Sequence, residues 1–137
     1  MNVVWFKRDL RVHDHAPLAD CVKTGIPTIP LVIIEPELWQ QPDTSFRQYA
    51  FLCDAIKELN AALTELGQSL MIKVGDAVDV LATLHADHSI QGIWSHQETG
   101  NYWTYMRDNR VRKWLRSVHI PWKEYRQHGV IRGLDNR

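Results

Sequence analysis

Apolar positions along the chain fall in two rhythms. Short apolar-rich runs occupy 2–6, 29–34, 70–74, 90–95 and 120–125, and between most of them lie longer stretches with apolar residues three or four apart. A short unbroken run predicts a strand buried on both faces, and the wider spacing predicts a helix with one apolar side. The alternation of the two predicts an α/β domain.

Local signals punctuate these segments. Asp14 is placed to cap a helix over 15–23, with Pro17 tolerated in its first turn and Gly25 closing it. Ser45 and Gln48 form a capping box for a long helix ending before Gly67, whose Tyr49, Leu52, Cys53, Ile56, Leu59, Leu63 and Leu66 share one face. Gly75 and Asp76 make a turn and N-cap for a helix to about His85, with Val78, Leu81 and Leu84 inward. A last helix over 102–117 turns Met106, Val111, Trp114, Leu115 and Val118 inward. Five strands joined by four helical crossovers predict a doubly wound, five-stranded parallel sheet with helices on both faces.

Composition narrows the setting. The 137 residues, 45% hydrophobic and 23% charged, suit one globular domain, and the sequence carries neither a membrane-length apolar run nor a signal-peptide pattern, so a cytoplasmic protein is expected. Cys21 and Cys53 match no zinc or CxxC spacing and read as reduced thiols. Charge is uneven: residues 1–106 hold 7 basic and 13 acidic side chains, and 107–137 hold 9 and 3. Zero net charge argues against nucleic acid as the chain's own main ligand, and the basic part reads first as a solvated helix face.

Candidate chemistry gathers at one edge. Ligands of open parallel sheets bind beyond the carboxyl ends of the strands. Lys7, Arg8, Asp9 and Arg11 follow the first strand, Glu35 the second, and His96, Gln97 and Glu98 the fourth. Cations, carboxylates and the aromatic faces of Phe6 or Phe51 suit a planar, polar-edged ligand. Ion pairing that merely fixes the loop uses the same side chains, and spacing alone leaves both readings open. GxGxxG, P-loop and GxSxG patterns are missing, the pairs His13/His15 and His85/His88 read as surface histidines, and neither a catalytic nor a metal-ligating set emerges.

The stretch WFKRDLRVHDHAPL resembles the opening of the DNA photolyase/cryptochrome family, whose N-terminal domain is Rossmann-like. The segments SFRQYAFLCDAIKELNAAL, KVGDAVDVL, HQETGNYWTYMRDNRVRKWL and IPWKEYRQHGVIR are similar to later family segments in the same order. Two positions depart: Lys7 stands where arginine is common, and His15 where asparagine is, which leaves Asp14 as the expected cap. The resemblance implies an α/β domain over 1–126, with 127–137 opening a linker to a helical FAD-binding domain that holds the damaged-DNA site.

It also implies an antenna chromophore, a folate, a deazaflavin or a flavin nucleotide, held by Phe6, Lys7, Arg8, Asp9, Arg11, Glu35, Arg47, Phe51, Gln97 and Glu98. Arginine or lysine would pair with a ligand carboxylate or phosphate, and Glu98 would accept from a ring N–H or hydroxyl. The implied parent is a blue-light DNA repair lyase, with this chain not catalytic alone. A cryptochrome-type photoreceptor and a small stand-alone nucleotide-binding or interaction module, including one that self-associates, are the competing readings.

Overall fold

In the computed structural model, residues 1–40, 46–98 and 101–126 are described, the side chains of Phe46 and Arg47 excepted. The order is β1 (Asn2–Phe6), α1 (Ala16–Lys23), β2 (Thr28–Ile34), α2 (Pro36–Trp39), α3 (Phe46–Glu65), β3 (Met71–Val74), α4 (Ala77–His88), β4 (Gly92–His96), α5 (Tyr102–Ser117) and β5 (Trp122–Tyr125). All five strands are parallel in the order β3-β2-β1-β4-β5. The expected doubly wound sheet is therefore present.

Strand β1 lies at the centre and every one of its residues is buried, as a parallel strand covered on both faces must be. Its alternate side chains feed two cores. Val3 and Trp5 join Leu31, Ile93, Leu81, Val111 and Leu115 beneath α4 and α5. Val4 and Phe6 join Val32, Trp94, Leu18, Ile56, Leu59 and Leu63 beneath α1 and α3. The chain winds outward from β1 to β3 and then returns to β4 on the other side of β1, so the topological switch point lies between β1 and β4.

Several local expectations shift. His15, not Asp14, caps α1: its backbone is extended and its side chain accepts from Leu18 N, while Asp14 occupies a positive φ of 51°. Leu66 falls just past α3 and is 62% exposed, and Met106 points outward because α5 turns Thr104, Arg107 and Asp108 inward with Val111 and Leu115. The short α2, opened by Pro36, adds an element between β2 and α3. Helix α4 runs to His88, and the last three strands begin a residue or two later than their apolar runs. Ser45 of the expected capping box lies outside the described residues.

Among the described residues, strand β3 pairs only with β2, so its far edge is free. It exposes Ile72 and Val74 on either side of Lys73, which is itself exposed. Both cysteines are free thiols. Among the described residues, no helix is long and apolar enough to cross a membrane.

Candidate functional site

Beyond the carboxyl ends of β1 and β2 lies a cavity of about 510 Å3. Its walls are mainly apolar, with Trp5, Phe6, Val32 and Ile33 from the sheet, Leu38 and Trp39 from α2, and Phe51, Leu52 and Ala55 from α3. Lys7, Arg8, Glu35, Glu98 and Arg107 add charge. Phe6 is buried, whereas Phe51 is 75% exposed at the wall.

Arg107 organises those charges. It is buried in the second turn of α5, and it donates to Glu35 Oε1 at 2.6 Å and to Glu98 Oε1, with Asp108 Oδ1 2.9 Å from its Nε. Glu98 Oε2 receives Arg8 Nε at 3.1 Å, so both Glu98 oxygens are engaged. Lys7 Nζ lies 3.6 Å from Asp108 and 4.4 Å from the Trp5 ring centroid, and the Trp5 and Trp122 rings stack at 5.8 Å. The guanidinium carbon of Arg107 is 5.0 Å from the Trp5 centroid. Indole faces thus supply part of the environment these buried cations lose with water.

Burial sets the protonation tendencies. It lowers the Lys7 ammonium below its usual range, with Asp108 opposing. It raises Glu35 to about 7 despite Arg107, with Glu98 adding to the rise, and it raises Asp108 against Lys7 and Arg107. On Arg107 burial acts downward, but Glu35, Glu98 and Asp108 outweigh it and the net shift is upward.

A second polar cluster sits beside the cavity at the switch point. Buried Asp9 accepts three bonds: Lys7 N to Oδ1 at 2.7 Å, and His15 Nε2 and His96 Nδ1 to Oδ2 at 2.6 and 2.7 Å. These bonds hold its carboxyl far below the ordinary range although burial acts the other way. The three side chains bring metal-ligating atoms within 4.8 Å of one another. The donor set nevertheless suits protons better than a cation, because Leu18 N–H occupies His15 Nδ1 and leaves the ring proton on Nε2, facing Asp9.

The DNA photolyase family model matches residues 2–133. The chain belongs to that family. It corresponds to the N-terminal α/β domain of its members, and a cryptochrome structure from Synechocystis sp. PCC6803 superposes with a TM-score of 0.85 at 24% identity, over 92% of this chain and 27% of that one. A photolyase from Sulfolobus tokodaii gives a TM-score of 0.80 at 24% identity over 92% and 29%. Among curated relatives, Cryptochrome DASH of Gloeobacter violaceus is 27% identical over 70% of this chain and 20% of its own length. Cryptochrome-1 of Anopheles gambiae is 27% identical over 93% and 25%. The chain therefore spans a quarter or less of these two relatives.

Within this photolyase-family domain, the residues singled out from sequence divide into groups. Phe6, Lys7, Arg8, Glu35, Phe51 and Glu98 line the cavity. Asp9 lies in the histidine cluster instead, and Arg11 reaches the backbone oxygens of His13 and Asp14 at 3.1 Å. Gln97 donates its N–H to Tyr125 O at 2.6 Å and is not in the cavity wall. The Arg47 side chain lies outside the described residues. His15, read from sequence as a surface residue, is buried as cap and as partner of Asp9.

Arg107 is hidden from a reading by sequence. It sits in a run of charged and polar residues that reads as a solvated helix face, and only its register with Thr104, Asp108, Val111 and Leu115 marks it as inward.

Two measurements test these electrostatics. Asp9→Asn cannot accept from Lys7 N and both rings at once, so it is expected to cost roughly 3 kcal/mol in denaturant unfolding. Glu35 binds its extra proton in the folded chain between its ordinary 4.5 and about 7, so its contribution to stability falls as pH rises through that window. Glu35→Gln is expected to remove that fall, seen as a flatter plot of unfolding midpoint against pH from 4.5 to 7.

Proposed function

We propose that this chain is the antenna-bearing N-terminal domain of a photolyase-type, blue-light DNA repair flavoprotein. The observation that carries the reading is the cavity beyond β1 and β2, walled by aromatic and aliphatic side chains and closed by buried charges, a form suited to a flat chromophore with a polar edge. The Sulfolobus tokodaii photolyase is described with two FAD molecules and the implication of a novel light-harvesting cofactor, which supports a second chromophore in a protein that shares this fold.

In this reading residues 127–137 open the linker to a helical FAD-binding domain, and that domain supplies the damaged-DNA surface and the electron that splits the lesion. The α/β domain absorbs light through its chromophore and passes the excitation on. Phe51 offers a stacking face, Arg8 at the mouth meets a ligand's anionic tail, and the Glu35–Arg107–Glu98 group meets its polar ring edge. Phe6 and Lys7 support the floor, while Asp9 and Arg11 hold the loop between them in shape.

A photoreceptor role for the parent is the second reading, favoured by the names of the curated relatives, several of which are cryptochromes. Repair of dimer-containing DNA under blue light by the parent protein, and not by this chain alone, separates the two.

The binding role is tested by titrating the purified domain with FAD and with a folate, following ligand fluorescence. Saturable binding by at least one is expected, with Phe51→Ala weakening it severalfold and Ala55→Trp, which fills the cavity, abolishing it. Equal binding by the wild type and Ala55→Trp, or none by the wild type, would reject the cavity as the chromophore site.

A further inference from the structure

Four buried atoms at the charged end of the cavity make no hydrogen bond: Lys7 Nζ, Glu35 Oε2, Arg107 Nε and Asp108 Oδ1. Arg107 Nε and Asp108 Oδ1 lie 2.9 Å apart and satisfy each other as an ion pair. Lys7 and Glu35 are held less firmly. Lys7 Nζ has one ionic neighbour, Asp108 at 3.6 Å, and otherwise meets the faces of Trp5 and Trp122 at 4.4 and 5.1 Å. Glu35 is tied to Arg107 through Oε1 alone, and both Lys7 and Glu35 line the cavity.

Chemistry sets Lys7 apart from the arginines around it. A guanidinium keeps its charge and does not attack carbonyl carbon, whereas an amine that has shed its proton is a nucleophile. Burial draws the Lys7 ammonium downward against Asp108, the direction that uncovers the amine. The end of its flexible stem is fixed by no hydrogen bond, so it can turn into the cavity that the residue lines. Lys23, Lys57, Lys73, Lys113 and Lys123 are all exposed and have no such setting. Glu35 supplies the complement: burial holds its carboxyl at about 7 against Arg107, so near neutral pH it can give and take a proton.

The walls and the charge balance define what would be captured. Trp5, Phe6, Trp39 and Phe51 suit a flat ring. Glu35, Glu98 and Asp108 surround two buried cations, Lys7 and Arg107, so the inner end admits a neutral group and not a further anion. Arg8, its side chain 61% exposed and only its Nε on Glu98, can pair with an anionic tail at the mouth.

We infer that Lys7 is a covalent capture site for flat aromatic aldehydes, its amine forming an imine while Glu35 carries the proton and Arg8 holds an anionic tail. The inference goes beyond the chromophore reading and needs only the cavity. Nζ attacks the carbonyl carbon, a C–N bond forms, and the carbonyl π pair moves to oxygen, which takes the proton of Glu35. The nitrogen returns a proton to Glu35. Its lone pair then expels the hydroxyl, which leaves as water with that proton, and the iminium N–H proton goes back to Glu35. Amine and aldehyde become imine and water, with no oxidant or reductant.

The probe is pyridoxal phosphate, with pyridoxal, which lacks the phosphate, as its counterpart. A substoichiometric amount is incubated with the intact domain near neutral pH, borohydride reduces any imine to a stable secondary amine, and peptide mass mapping locates it. Lys7 is expected to be labelled roughly tenfold or more faster than any exposed lysine. Lys7→Arg is expected to lose that label, Glu35→Gln to slow it severalfold, and pyridoxal to react severalfold more slowly than its phosphate.

Label spread over the exposed lysines with Lys7 unmodified overturns the inference. Undiminished labelling rate in a Glu35→Gln domain that is folded by circular dichroism overturns the role of Glu35, and equal rates for the two probes overturn the placement of the tail at Arg8. A domain that binds FAD or a folate yet forms no imine at Lys7 overturns this inference and leaves the chromophore reading standing.

Discussion

Three N–H groups converging on one buried carboxylate hold the binding end of this domain together. Asp9 takes its bonds from the exit of β1, the cap of α1 and the last residue of β4, and so ties three elements at a single group. A parallel sheet leaves a crevice where its winding reverses, and side chains there have no strand ladder to position them. Asp9 substitutes a set of charge-assisted bonds for that ladder. His15 extends the chain of constraint, because the ring that binds Asp9 also closes the first turn of α1 through Leu18 N.

The same logic governs the cavity's charged end. Burying five ionisable side chains in an α/β core is unfavourable unless each finds a counter-charge, and Arg107 supplies the centre around which Glu35, Glu98 and Asp108 assemble. Lys7 completes the group against two stacked tryptophans. The network is nearly closed, and free atoms of Glu35 and Lys7 remain at the cavity wall. Mechanical support and recognition are therefore carried by the same residues, which is why the charged stretch after β1 allows both readings from sequence.

The sheet was legible because short apolar-rich runs have few alternatives once helices separate them, and β1 and α5 match their expected bounds. The edge of the sheet that carries the site followed from topology. Other features were not legible, for physical reasons. His15 as a cap depends on Asp9 and His96, the latter 87 positions from Asp9, and a local pattern favours Asp14 instead. The inward face of α5 begins with Thr104, Arg107 and Asp108, so apolar periodicity reports only its second half and misassigns Met106. Glu98 looked like the free acceptor because its two partners, Arg8 and Arg107, are identified only in three dimensions.

The edge of β3, free among the described residues, bears on how the domain behaves in concentrated solution. Ile72 and Val74 offer an apolar strip beside a row of unpaired backbone groups, the arrangement that invites another strand to add on. Lys73 stands between them, and a second copy pairing there would bring its own lysine against this one or strip both of water. An exposed lysine between two apolar side chains is a common means of disfavouring strand addition at a sheet edge.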